Sequence, residues 1–301
     1  MSGAEAAPAT VTAARSAPVA AEPGPLREIW FRLRARPSAV VGLVIVLALV
    51  GMAVFADWIA PYDPSATNWG AVRTAPSLAH PFGTDEVGRD LLSRIIHGAR
   101  ASLAAGLTSV ALAVTLGLPL GLLAGYAGGV IDGAIMRLTD ALLAIPFLIL
   151  AIALAAFLGP SLTNAMVAIG LSATSIFVRL SRAQVQAITA EEFIEAARAV
   201  GNPPWRIALR HILPNIVPAI LVQATLTIAA AIIAEASLSF LGLGQQPPAP
   251  SWGSMLNVAK NFLDQAPWMA IWPGVSIFLA VLSFNLLGDG LRDALDPRQR
   301  N

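Results

Sequence analysis

Side chains able to do chemistry are sparse in this sequence, and their spacing fits none of the familiar catalytic constellations. The chain has no cysteine, so disulfides, thiolate nucleophiles and Cys-type zinc sites are excluded. His80, His97 and His211 stand apart and suggest no metal-ligand cluster. The single lysine, Lys260, follows Ala259 in place of a glycine, so the glycine-lysine pair that holds nucleotide phosphates is missing. Neither a G-x-S-x-G elbow nor an H-E-x-x-H pair occurs, which leaves hydrolysis without its usual nucleophile or metal site. What remains is carboxylates in conspicuous places. Glu191, Glu192 and Glu195 crowd one polar stretch, Glu235 interrupts an apolar run, and Asp140 stands at the mouth of another.

The elements that must position these groups are membrane spans. Of 301 residues 56% are apolar and 12% charged, with a mean hydropathy of +0.70, whereas an average soluble chain is roughly 25% charged. A net charge of +1 gives no basic field for nucleic acid. A helix needs about 20 apolar residues to cross the bilayer, and six runs qualify: Ala39 to Ala60, Ala101 to Tyr126, Ala141 to Leu158, Leu162 to Leu180, Ile216 to Leu241 and Met269 to Leu287. Gly159, Pro160 and Ser161 part the third from the fourth and suit a tight hairpin turn.

Residues 1–25 are rich in Ala and Pro and are expected to form a disordered tail. The segment 26–38 carries Arg27, Arg32, Arg34 and Arg36 directly before the first span, which reads as an uncleaved anchor with a cytoplasmic N-terminus. Six spans return the C-terminus to the same side. On that orientation 14 of the 19 basic residues are cytoplasmic, and 5 (Arg73, Arg89, Arg94, Arg100 and Lys260) are outside.

Asp85 to Leu103 has apolar residues at helical spacing on one side and Arg89, Asp90, Ser93, Arg94 and His97 on the other. The pattern predicts an amphipathic helix lying at the interface before the second span. Gly117, Gly121 and Gly125 form a small-residue stripe in that span, with Pro119 among them. The stripe reads either as close helix packing or as part of a kinked helix lining a path, and Pro146 invites the same two readings. A charge at the bilayer centre costs about 2.5 to 3.5 kcal/mol, so Glu235 and Asp140 should face protein or water. Glu235 is either a pathway residue or one near the outer surface; Asp140 is either a pathway residue or an interfacial neighbour of Arg137.

The longest polar stretch on the cytoplasmic side after the tail is 181–215. Gln184 to Val200 predicts one helix stopped by Gly201-Asn202, and Pro203-Pro204 opens a second, Trp205 to Leu213, ended before Pro214. Glu191, Glu192 and Glu195 stand beside Phe193, Ile194, Ala196 and Ala197, a surface fit either for a groove on a partner or for solvent.

Glu195-Ala196-Ala197, then Gly201, then Leu213-Pro214 resembles the EAA motif of permease subunits of binding-protein-dependent ABC importers, with His211 where the family has Ile. PFGTDEVGRDLLSRIIHGARASL from Pro81, EASLSFLGLGQQPPAPSWGSML from Glu235 and GDGLRDALDPR from Gly288 are similar to the second permease of dipeptide, oligopeptide and nickel uptake systems, from about Leu26 onward. The resemblance implies an all-α polytopic membrane protein of six transmembrane helices with the type I ABC importer permease fold, in a bacterial cytoplasmic (inner) membrane. It implies a second homologous permease subunit, two ABC ATPase subunits holding ATP and magnesium, and an extracytoplasmic solute-binding protein, with no cofactor bound by this chain itself. Glu191, Glu192, Phe193, Glu195, Ala196, Ala197 and Gly201 would then form the coupling surface for an ATPase. Glu235, Pro119 and Pro146 are the pathway candidates, and Gly242 to Pro267, stiffened at its start by Pro247, Pro248 and Pro250, is either a docking surface for the binding protein or a rigid connector. Di- or oligopeptide is the expected cargo, with nickel, glutathione or another small solute as alternatives. An ion-gradient-driven secondary transporter and a transport-inactive scaffold are the readings of other classes.

Overall fold

The computed structural model describes residues 30–31 and 33–295. The tail expected over 1–25, and Arg27, Arg32, Arg298 and Arg300, lie outside the described residues. In chain order the main helices are α1 (Pro37–Val54), α2 (Leu91–Ala127), α3 (Gly129–Leu143), α4 (Phe147–Leu158), α5 (Leu162–Thr189), α6 (Glu192–Ala199), α7 (Leu213–Phe240), α8 (Trp252–Ala259) and α9 (Trp268–Leu295). Among the described residues the extended pairing is one isolated bridge, Thr84 with Asp90. Five runs are long and apolar enough to cross a membrane, α1, α2, α5, α9 and the stretch Pro204–Phe240 that ends in α7; the pair α3 and α4 makes a sixth if counted as one bent span.

Local chemistry sets the helix ends. Pro37 occupies the first turn of α1, where its missing N–H costs nothing. Asp90 caps α2 by accepting from the Ser93 amide at 2.8 Å and its hydroxyl at 2.7 Å. Ser161 caps α5 through the Asn164 amide, and Ser251 with Ser254 forms a reciprocal capping box on α8.

The elements differ from sequence expectation in four places. The third span is no single straight helix: Pro146 and its predecessor Ile145 cannot continue an α-helix, and the chain turns by 90° between α3 and α4. No helix lies flat before the second span. Residues 85–90 form a loop, α2 runs from Leu91 as one 37-residue helix, and the polar side of that segment is folded inward, with Asp90, Ser93 and Arg94 buried. The helix expected from Gln184 to Val200 breaks at Ala190 and Glu191. Pro214 does not stop the following helix; a π-helical turn, Ile207–Ile212, widens the backbone ahead of it and leads directly into α7.

α2 and α5 make the most extensive contact in the bundle. A methyl group on Gly121 would stand 2.5 Å from Ser181 Cβ and from the Val178 carbonyl, and one on Gly117 would stand 2.6 Å from Phe177 Cβ. The glycine stripe is therefore a close-packing seam. Gly170 of α5 reciprocates against Ser109 and Leu112 of α2. Pro119 lies off this seam on the exposed side of α2. α1 packs on α9, where Gly42 meets the Ser283 carbonyl and Arg36 pairs with Asp293 at 3.0 Å.

Candidate functional site

The polar stretch after α5 folds into a bent elbow at one end of the bundle. Gly201 ends α6 in a left-handed conformation, φ +81°. Its amide donates to the Arg198 carbonyl and the Asn202 amide to the Ala197 carbonyl, the paired bonds that close a helix C-terminus on glycine. The eight residues of α6 present two faces. Ile194 and Ala197 are buried in a cluster with Val185, Ile207, Ile212 and Ile216, backed by Leu118, Leu122 and Tyr126 of α2. Glu191, Glu192, Phe193, Glu195, Ala196 and Gly201 are exposed.

Of the seven residues predicted to couple, six therefore share the outward face and Ala197 braces the elbow from within. Exposed apolar groups extend the face beyond them: Val200 is 83% exposed, Trp205 62% and Leu209 53%. Among the described residues Glu191, Glu192 and Glu195 are in no ion pair of the chain. An acidic rim around unburied apolar groups is the composition of a surface that a partner covers.

Two ion pairs join the elbow's stem to the bent segment. Arg182 grips Asp132 with two hydrogen bonds of 2.5 and 2.6 Å, and Arg179 meets Asp140 at 2.6 Å. Arg179, rather than Arg137, is thus the partner of Asp140. Asp132 escaped the sequence reading, although two arginines a helical turn apart at the end of an apolar run signal carboxylates on a neighbouring helix. Pro146 is exposed at the break and heads α4.

The opposite end of the bundle is a compact polar cap. Arg89 reaches Asp85 and Glu86, both at 2.6 Å, and His80 meets Asp90 at 2.9 Å. Arg94 donates to the Pro64 carbonyl at 2.9 Å and the Pro248 carbonyl at 3.3 Å, tying the loop before α2 to the one before α8. Burial, with Asp85 adding repulsion, pushes the Glu86 carboxyl up. Arg100 does the opposite to exposed Asp57, whose carboxyl it holds down by hydrogen bonding. Glu235 lies beneath this cap, 0% exposed, with its carboxyl bonded to Ser102 and Ser239.

A family model described as "Binding-protein-dependent transport system inner membrane component" matches residues 117–301. The chain belongs to this family. It is a multi-pass inner-membrane permease component. Residues 24–79 of the permease match a second model, the N-terminal TM domain of oligopeptide transport permease C. It is 45% identical to the di/tripeptide transport system permease protein DppC of Pseudomonas aeruginosa, over 93% of this chain and 94% of that one. Identity is 47% to the dipeptide permease DppC of Alkalihalophilus pseudofirmus, over 92% and 91% of the two chains. It is 48% to the glutathione transport system permease protein GsiD of Shigella flexneri, over 91% of each. In fold the permease resembles a chain of the inward-facing MetNI methionine ABC transporter, with a TM-score of 0.56 at 22% identity, over 68% of this chain and 98% of that one.

Proposed function

We propose that this permease moves di- or oligopeptides inward through a path it encloses with a second homologous permease. Two ABC ATPase subunits, holding ATP and magnesium, work it from below, and an extracytoplasmic binding protein delivers the cargo. The observation that carries the reading is the two-faced elbow. α6 is held to the bundle through Ile194 and Ala197 and offers Glu191, Glu192, Phe193, Glu195 and Ala196 outward. In this reading both termini and the elbow are cytoplasmic, as the arginine bias favours, and residues 242–267 meet the binding protein outside.

The mechanism follows from which parts are rigid. ATP binding closes the ATPase pair, and the cleft that holds α6 moves with it. Because α6 packs on the π-helical turn Ile207–Ile212 and shares its buried cluster with Val185 of α5, and α5 packs on α2 along the glycine seam, the displacement passes to the spans as a rigid-body movement. Arg182 and Arg179 carry it on to α3, and the bent α3–α4 segment beside Pro146 opens or closes the path. Hydrolysis resets the pair. The energy comes from the partners' nucleotide; this chain contributes stiffness and a handle.

Peptide is the favoured cargo because relatives named for di- and tripeptides cover over nine-tenths of the chain. Glutathione, itself a tripeptide, is the second reading, resting on the match to GsiD. The test is to purify the permease with its companions, identify them by mass spectrometry, and measure which solutes the co-purified binding protein retains. Recovery of a second permease, ATPases and a binding protein that holds dipeptides is the expected result. A companion set without an ATPase would overturn the proposal, and retention of glutathione alone would select the second reading.

A further inference from the structure

Glu235 is fully enclosed, 0% exposed, and among the described residues no arginine, lysine or histidine pairs with it. Its surroundings instead form a directed relay. Ser239 Oγ donates to one carboxyl oxygen at 2.7 Å and accepts from the Gln245 amide at 3.1 Å and from the Ser251 hydroxyl at 3.4 Å. Ser102 Oγ donates to the other at 3.1 Å and accepts from the Trp252 amide at 3.3 Å. A serine hydroxyl has one proton to give and two lone pairs to offer. By accepting a hydrogen bond from each serine, the carboxyl orients both hydroxyls so that their lone pairs face the loop between α7 and α8.

Both loop amides need such an acceptor. Trp252 opens α8, so its N–H has no partner within the helix, and Gln245 belongs to no helix. The same loop presses closely on α7. A methyl group on Gly253 would stand 2.5 Å from the Ala236 carbonyl, and one on Gly244 would collide with Ser239 Oγ. Trp252, buried, adds a bond from its indole N–H to the Ile95 carbonyl at 3.1 Å.

We propose that Glu235 is a positioning residue. It sets the direction of two serine relays and thereby locks the 242–252 loop and α8 onto α2 and α7, presenting them as one rigid surface. That this surface receives the binding protein rests on the proposed function; the locking does not.

The test is hydrogen exchange at Gln245 and Trp252 in the assembled importer in lipid nanodiscs. It is paired with the binding-protein concentration that half-stimulates ATP hydrolysis. Glu235→Met keeps side-chain bulk and removes both acceptors, and is expected to raise exchange at both amides by about fivefold or more, the worth of one net hydrogen bond each. Glu235→Gln keeps one acceptor oxygen and should loosen one amide more than the other. Ser102→Ala should loosen Trp252 and spare Gln245, and Ser239→Ala the reverse. These serine variants also decide the matter if Glu235→Met fails to assemble. A space-filling role would leave Met and Gln variants at wild-type exchange, and that result, or serine variants without the split, overturns the proposal. Loosened amides with an unchanged half-stimulating concentration would support the lock and overturn the loop as the docking surface.

Discussion

Gly201 turns the elbow with φ +81° and open space where a side chain would begin, so conformation rather than crowding dictates glycine there. Proline is locked near −65° and cannot adopt that turn. Gly201→Pro is expected to reduce ATPase association in pull-downs by about tenfold, a loss of roughly 1.4 kcal/mol, while membrane insertion stays at wild type. Glu195→Lys, an exposed charge reversal, should do the same through repulsion across the contact. Wild-type association in both variants would remove the coupling assignment. Gly121 poses the opposite problem, since its backbone suits any residue but its surroundings do not. Gly121→Leu should destabilise the purified permease by about 1–3 kcal/mol through overpacking, read as a lower unfolding temperature. Gly133→Ala, where nothing lies within 4 Å, should be neutral or slightly stabilising, by up to about 1 kcal/mol.

Most elements were legible in the sequence, because apolar runs of span length, in a chain this poor in charge, can be covered only by lipid or by one another. The elbow was legible for a second reason, since polar residues had to accumulate somewhere outside the bilayer. What stayed hidden was which polar face meets water and which meets protein. Periodicity shows that Asp90, Ser93 and Arg94 share a side of α2, yet says nothing of His80, Pro64 and Pro248, which supply their partners from distant stretches. Pro146 reads from the sequence as either a packing feature or a kink, but its 90° consequence depends on α5 holding α3 in place. Two ion pairs supply that hold, Arg182–Asp132 and Arg179–Asp140, and the first, being two-pronged, is the one to test. Arg182→Ala, Asp132→Asn and the double variant should show a coupling of about 0.5–1 kcal/mol in thermal stability, as partly exposed pairs do. Arg182→Lys should recover little, since an ammonium cannot make the two-pronged bond. Additive single effects would mean that the pair does not clamp α3.

At the scale of the whole molecule, apolar groups such as Val44, Leu47 and Phe278 are more than half exposed, which is the surface a bilayer covers. The chain is therefore built inside out relative to a soluble domain, with its polar contacts gathered at the two ends of the bundle. Reporter fusions after Asn202 and Gln246 should report the cytoplasm and the outside respectively; the reverse would invert the orientation given to both ends. The natural absence of cysteine makes the decisive measurement clean. With Ala196→Cys as the permease's single thiol, a short bifunctional crosslinker should join it to the ATPase subunit in assembled membranes, and uptake should stop until the link is cleaved. Failure to crosslink, or labelling of that thiol by a membrane-impermeant reagent added from outside intact cells, would contradict the elbow as the ATPase's handle.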